Sequence, residues 1–279
     1  EIKSIGFQGG RTSRHSMPLI SIRFYQSGKM FWDERAPTLE TQVLMPIQDE
    51  VEMGMTLPEL EQRLANLSYY PSLFQKAFGS PAITSERVAL ALAQFVRSIV
   101  PYQSKYDRVK QGLESFTGSE ARGEQIFTTG NVSCASCHPP PMFITSNPDR
   151  PFGLPNTGDR GIAGTRTFKS PSLRNSAERT ALFHDGSIAD IERMFNVGIP
   201  AHSVPATAKN DITAFLKTLT DNSITTDPKF SNPFPKTPQL GKSRGGFLKK
   251  EVDNCIFLKI GNKTAKAFKK KKICKAILL

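Results

Sequence analysis

Apolar side chains recur at helical spacing in several stretches of the chain, and these set its architecture. Leu57, Leu60, Leu64 and Leu67 fall on one face of residues 56–67, with Pro58 in the first turn, where a missing N–H costs nothing. Val88, Leu92, Phe95, Val96 and Ile99 draw a second stripe. It predicts a helix that starts near Thr84, a residue type suited to the N-cap, and stops before Pro101. A third helix is expected over 117–128, where Thr117 and Glu120 have the spacing of a capping box and Gly123 and Phe127 lie one turn apart. Ile212, Phe215, Leu216 and Leu219 give the buried face of a helix over 208–219, and a shorter helix is expected over about 188–197. Residues 1–54, rich in Gly, Arg, Met and aromatics, read as irregular. Residues 139–170 form a long loop dense in Pro and Gly, of a length that usually serves function or stays unstructured. No repeat at a solenoid period is visible. The body is therefore mainly α, with long loops.

The chain of 279 residues is long enough for one large or two small domains and for a real core. Its net charge of +12 suggests an acidic partner until the distribution is read. Residues 236–279 hold 13 of the 37 Lys and Arg and 2 of the 25 Asp and Glu, which leaves 24 against 23 in the body. The body is near neutral, so the charge makes no case for nucleic-acid binding. The basic tail, with Lys269 to Lys272 in a row, is expected to be disordered or an appended, non-native segment; the competing reading is a surface for a membrane or a partner. No apolar run is long enough to span a membrane, and Glu1-Ile2-Lys3 does not open a signal peptide. Four cysteines are too few for a disulfide framework.

Two of those cysteines organise the chemistry. Cys134-Ala135-Ser136-Cys137-His138 has the spacing at which c-type haem attaches. Both thiols add to the porphyrin edge, and a short turn brings the imidazole of His138 to the iron as proximal ligand. A zinc half-site would need two further ligands, and the chain has no second C-x-x-C; a redox dithiol would not need the trailing histidine. Covalent haem attachment normally takes place outside the cytoplasm. A periplasmic or otherwise extracytoplasmic location is therefore expected, with a truncated or processed N-terminus.

Around this motif the blocks F-W-D-E-R (31–35), P-I-x-x-x-V-E-M (46–53), C-A-S-C-H (134–138), P-S-L-R-N (171–175) and F-H-D-G (183–186) follow in order. In these blocks the chain resembles the bacterial di-haem cytochrome c peroxidases and their relatives, which include the enzyme that matures methylamine dehydrogenase. The resemblance covers about 8–235. It implies two cytochrome c-like helical domains, the first incomplete. Residues 1–108 would be the remainder of the N-terminal, peroxidatic domain, 109–235 the C-terminal haem domain, and 236–279 a tail outside both. Cys134, Cys137 and His138 would then hold the electron-entry haem. The helices 117–128 and 208–219 would cross, with Gly123 letting Phe215 or Leu216 approach. By the same resemblance Trp32 is the tryptophan between the two haems. Glu52 is the glutamate above the peroxidatic iron, where it would move a proton of peroxide, and Gln42 is a hydrogen-bonding neighbour in that pocket. Taken alone, Trp32 would read as a core anchor and Glu52 as an exposed loop acid. Arg174 and His184 are expected at haem propionates or at the domain interface; for His184 a plain polar turn is the competing reading.

The chain departs from the family pattern in three places. No C-x-x-C-H precedes Cys134, so the peroxidatic haem motif is expected upstream of residue 1 and the chain is read as truncated. The family places Met or Tyr fourteen residues after the histidine of F-H-D-G, a position that here is Gly198. Met194 is then the first candidate for the distal ligand, His202 the second and an open iron the third. At the family's calcium site His15 replaces an asparagine and Arg179 a threonine, so calcium dependence is expected to be weak or absent. His15 reads alternatively as a ligand near the N-terminal haem or as a structural group. The function expected of the parent protein is reduction of hydrogen peroxide to water with electrons from a small donor, a cytochrome c or a cupredoxin. One covalent haem c belongs to this chain and a second to the full-length protein; a homodimer is common in the family, and no nucleic-acid partner is expected. The alternative is a mono-haem c-type electron-transfer module without peroxidase turnover.

Overall fold

The structure, a computed structural model, describes residues 2–129, 134–145, 158–196, 202 and 204–233. Regular structure among the described residues is helical. Isolated antiparallel bridges between Ile5 and Arg11, Met30 and Ala36, and Leu182 and Ile188 close turns.

The first half of the chain contributes α1 (Leu39–Gln48), α2 (Leu57–Ala65), α3 (Tyr69–Phe78) and α4 (Ser85–Arg97). Three of these helices start on threonine. Thr38, Thr56 and Thr84 each accept a hydrogen bond from the backbone N–H three residues on, which satisfies a donor the helix would otherwise leave open. Helix α4 is buried on two sides. Ala93, Val96 and Ile99, just past its end, pack with Ile22, Leu39 and Ile224, while Val88 and Leu92 pack with Ile47, Leu60, Leu64 and Phe74. Helix α1 corrects the expectation that residues 1–54 are irregular. Leu39 and Ile47 bury its inner face, but Pro46 in its last turn and the polar Glu40-Thr41-Gln42 hide the period.

The second half contributes α5 (Lys105–Lys110), α6 (Gly118–Thr129), α7 (Ile191–Met194), α8 (Ala206–Lys217) and α9 (Ser223–Thr226). The capping box expected at α6 is present: Thr117 N donates to Glu120 at 2.7 Å, and Glu120 N to the Thr117 hydroxyl at 3.3 Å. Helices α6 and α8 cross at Gly123. A Cβ there would lie 2.0 Å from Asp211 O and 2.8 Å from the Phe215 Cβ, so only hydrogen fits. Asp211 also accepts from Ser119 and Arg122 of α6, which fixes the register of the crossing. Beneath it Tyr106, Phe127, Phe143 and Phe215 meet edge to face or tilted, with Tyr106 and Phe127 5.0 and 5.6 Å from Phe143. The helix expected over 188–197 is realised as the single turn of α7. After α9 the chain returns to the first half, where Ile224 joins the core around Ile99 and Phe230 meets Phe95 at 6.0 Å. The tail from residue 236 lies outside the described residues.

The crossing gives a test in which two effects oppose. Alanine in a helix interior is favoured over glycine by about 0.5–1 kcal/mol. Forcing a methyl against a backbone carbonyl costs about 1–3 kcal/mol through displaced helices. Gly123→Ala is therefore expected to lower stability, read as a lower midpoint in chemical denaturation; a raised midpoint would show that the helices are free to separate.

Candidate functional site

The haem-type motif sits directly after α6. Cys134–Ser136 forms one tight turn, and His138 N donates back to Cys134 O at 2.8 Å. The His138 Nδ1 lies 3.2 Å from Phe143 O, so the neutral ring donates there and keeps the lone pair of Nε2 for a metal. Burial pushes the His138 pKa down to about 4, against the raising effect of the carbonyls of Phe143 and Pro171. The imidazole is thus uncharged at neutral pH, as a ligand must be. Burial raises the Cys134 thiol to about 11, which makes it a protonated thiol and not a reactive thiolate. Among the described residues no group of three or more His, Cys, Asp or Glu gathers where it could hold one metal ion. Two thiols and an imidazole that do not converge suit a planar group with separate attachment points, so the residues fit haem better than zinc.

The P-S-L-R-N segment carries the loop that orients His138. Ser172 Oγ donates to Met142 O at 2.6 Å, and Leu173 N donates to Phe143 O at 3.0 Å. Arg174, 2 % exposed, donates from Nε and Nη2 to Pro141 O at 3.0 and 2.7 Å. Its Nη1 and Nη2 also grip both oxygens of Asp107 at 2.8 and 2.7 Å. Asp107 in turn closes the capping box of α5 with Ser104. Burial alone would raise the Asp107 carboxyl, but Arg174 and Ser104 hold it below the usual range. Arg174, expected at a propionate, thus has its fork filled by protein groups beneath the motif.

Of the distal candidates, Met194 ends α7 and packs half-buried against the core that includes Phe195 and Ile212. His202 has its ring 5.8 Å from Phe183, and burial lowers its pKa to about 4. Gly198 lies outside the described residues.

A second constellation joins the two halves. Trp32, 6 % exposed, donates from Nε1 to His15 O at 2.7 Å, and its own carbonyl accepts from Lys169 N at 2.9 Å. The turn that carries it holds Phe31 and Glu34 at φ 70 and 58, a left-handed conformation that such residues rarely adopt. Arg179 donates to His15 Nε2 at 2.7 Å and to Ser16 O at 3.0 Å, while His15 Nδ1 donates to Ile2 O. Both ring nitrogens of His15 are engaged, and burial lowers its pKa. Arg14 bridges Asp33 and Asp159 at 2.6 and 2.7 Å. His184, 2 % exposed, stacks on Phe168 at 3.7 Å and has both ring nitrogens without a hydrogen-bond partner.

Glu52 lies half-buried in the loop after α1 and Gln42 half-buried within α1. Burial and the nearby Asp49 raise the Glu52 carboxyl above its ordinary value, and Arg35 of the Trp32 turn opposes this. That direction suits a group that both accepts and returns a proton. No local pattern marks Asp107, Arg14, Asp159 or Lys169, each a single charge whose partner is distant in the chain.

The Arg14 guanidinium holds Asp159 well below the usual carboxylate range, at about 2. A depressed folded-state pKa contributes stability that is present above the unfolded value, about 3.9, and is lost as pH falls through the folded one. Asp159→Asn is therefore expected to cost stability at pH 6 and progressively less toward pH 2. A penalty that does not change with pH would sink the ion-pair account.

The chain matches the family model described as di-haem cytochrome c peroxidase over residues 1–115 and 124–252, a range that runs past Lys236. It is 32% identical over 205 residues to methylamine utilization protein MauG of Methylorubrum extorquens, covering 70% of this chain and 57% of that protein. It is 30% identical over 223 residues to cytochrome c551 peroxidase of Nitrosomonas europaea, covering 73% and 64%. The chain thus spans less than two thirds of the length of either relative. Among solved structures it is similar to a MauG-like protein associated with microbial copper homeostasis, with a TM-score of 0.71, 27% identity and coverage of 84% of this chain and 83% of that one. With a helical fold, a haem-attachment turn and a family match across most of its length, the chain belongs to the di-haem cytochrome c peroxidase family.

Proposed function

We propose that the protein to which this chain belongs reduces hydrogen peroxide to water, taking two electrons and two protons per peroxide. The observations that support it are a neutral His138 in a haem-attachment turn of one half and, in the other, a buried Trp32 whose carbonyl meets Lys169 across the seam and a carboxyl of raised pKa at Glu52. Haem c, when bound, supplies the one-electron redox chemistry. Cys134 and Cys137 anchor it and His138 ligates it, with the ring fixed by Phe143 O. His184, buried without a hydrogen-bond partner, would be available to a haem propionate at the seam. Trp32 passes electrons between the halves. Glu52 takes the proton from one peroxide oxygen and returns it to the departing one, and Gln42 orients the peroxide.

The electrons come from a small donor protein, a cytochrome c or a cupredoxin, outside the cytoplasm. No helix among the described residues is long and apolar enough to cross a membrane. Arg179 stands at the position where the resemblance puts a calcium ligand, and its buried guanidinium repels a second cation there.

For the sixth position on the iron we take the imidazole of His202, which burial keeps uncharged, ahead of the thioether of Met194. In the haem-loaded protein, His202→Ala is expected to convert the low-spin spectrum to high spin, and Met194→Ala to leave it unchanged. The reverse pattern assigns the ligand to Met194.

Glu52→Gln in the full-length, haem-loaded protein is expected to lower peroxide turnover by about 10²–10⁴-fold, the range for a lost proton-transfer group. Haem content should stay at wild-type level, and chelation should leave the wild-type rate unchanged. A variant that turns over at the wild-type rate overturns the role of Glu52. A wild-type protein that loads haem and moves electrons but consumes no peroxide is an electron-transfer module instead.

A further inference from the structure

Trp32 and Tyr25 are both buried, oxidisable and close in the fold, yet their hydrogen-bond partners differ in kind. The indole N–H of Trp32 donates to an amide carbonyl, His15 O, at 2.7 Å. An amide oxygen is too weak a base to take the indole proton. The Tyr25 hydroxyl, in a residue 3 % exposed, donates instead to the carboxylate of Glu34. That carboxylate is 5 % exposed, accepts also from Ser27 at 3.3 Å, and has Lys29 at 3.9 Å. A carboxylate is a proton acceptor already in place.

Lys169 connects the two aromatic residues. Its backbone N–H donates to Trp32 O at 2.9 Å, and its Nζ sits 3.6 Å from the Tyr25 ring centroid. The same Nζ donates to Lys29 O at 2.8 Å and lies 3.7 Å from the sulfur of Met30. The Trp32 turn itself brings Glu34 within two residues of the indole.

We infer that Tyr25 is a proton-coupled redox residue, which takes over an oxidising equivalent from Trp32 and holds it with Glu34 as proton acceptor. The inference rests on reading Trp32 as the bridge between haems. The step balances. The Trp32 indole radical cation, which would form when a one-electron oxidant generated from hydrogen peroxide withdraws an electron from the indole, gains one electron from Tyr25 and returns to neutral indole. The phenolic O–H breaks as the electron leaves, its proton passes to Glu34, and a neutral tyrosyl radical faces a protonated carboxyl. Trp32 is built for fast reversible relay because its proton stays on nitrogen. Tyr25 is built for retention because its proton must return before the electron can. Lys169 tunes this pair. A charged ammonium over the ring disfavours loss of an electron from it, and burial pushes the Lys169 pKa down to about 7, so the opposing charge is only partial at neutral pH.

The test is radical identification by freeze-quench electron paramagnetic resonance on the full-length, haem-loaded protein. Two oxidants are used in parallel, one equivalent of hydrogen peroxide and a photo-oxidised ruthenium polypyridyl complex that needs no peroxide chemistry. The wild type is expected to give a tyrosyl spectrum whose hyperfine splitting collapses when the protein carries ring-deuterated tyrosine. Tyr25→Phe, which keeps the ring, is expected to lose it and to leave a tryptophan-type signal. Glu34→Gln is expected to lose most of it with the phenol still present. A tyrosyl spectrum that persists in Tyr25→Phe, or its absence from the wild type with both oxidants, overturns the inference. A Tyr25-dependent signal with the ruthenium oxidant but none with peroxide supports Tyr25 and removes the peroxidase reading.

Discussion

The pairing of Arg174 with Asp107 is the interaction on which the site depends. A guanidinium with no exposed surface to speak of has lost its hydration, and only a full set of acceptors makes that tolerable. It finds them in both oxygens of Asp107 and in Pro141 O. Three parts of the molecule meet there: the start of α5, the loop after the haem-type motif, and the P-S-L-R-N segment. Removing one partner of such a buried pair costs about 3–5 kcal/mol, because the other charge stays behind without compensation. The carbonyl of Phe143, which sets the His138 ring, is two residues from Pro141. Position of the imidazole is thus inherited from an ion pair that never touches it.

A second charge solves a different problem. The seam between the halves is crossed by Arg179, Arg14 and Lys169, and in each case an arginine or lysine of one half meets carbonyls, a carboxylate or an imidazole of the other. Charged side chains at a seam specify one arrangement more sharply than apolar packing does, since a small shift strands a desolvated charge. If electrons cross that seam as proposed, a fixed arrangement matters more than a strongly stabilised one.

The sequence made part of this legible, and the reason is locality. Helices α2, α4, α6 and α8 announce themselves by a capping residue, a stripe or both, signals carried within a dozen residues. Helix α3 is hidden by Pro71 near its start and by its dense aromatics, and α5, with six residues, is too short to show a period. The haem motif was readable because covalent attachment fixes its spacing whatever surrounds it. Gly123 was readable because close helix crossing leaves few alternatives to glycine. The partners were not. Asp107 lies 67 residues from Arg174, His15 lies 164 from Arg179, and a lone lysine at 169 carries no mark that it will be buried. Such pairs are decided by the path of the chain, and no local pattern encodes that path.

The return of the chain after α9 has a consequence for how the protein divides. Ile224 and Phe230 complete the core that α4 and Ile99 begin, so the last described turns of the second half are part of the first half's interior. The chain leaves one half, builds the other, and comes back to fasten it. Neither half is a cassette that can be cut out at the junction before α5 and moved to another protein, since excision would strip one interior of its lid and leave the other with an apolar helical turn packed against nothing. Evolution of such a chain must then proceed on both halves together, and the seam that joins them is inherited as a unit with the interiors on either side.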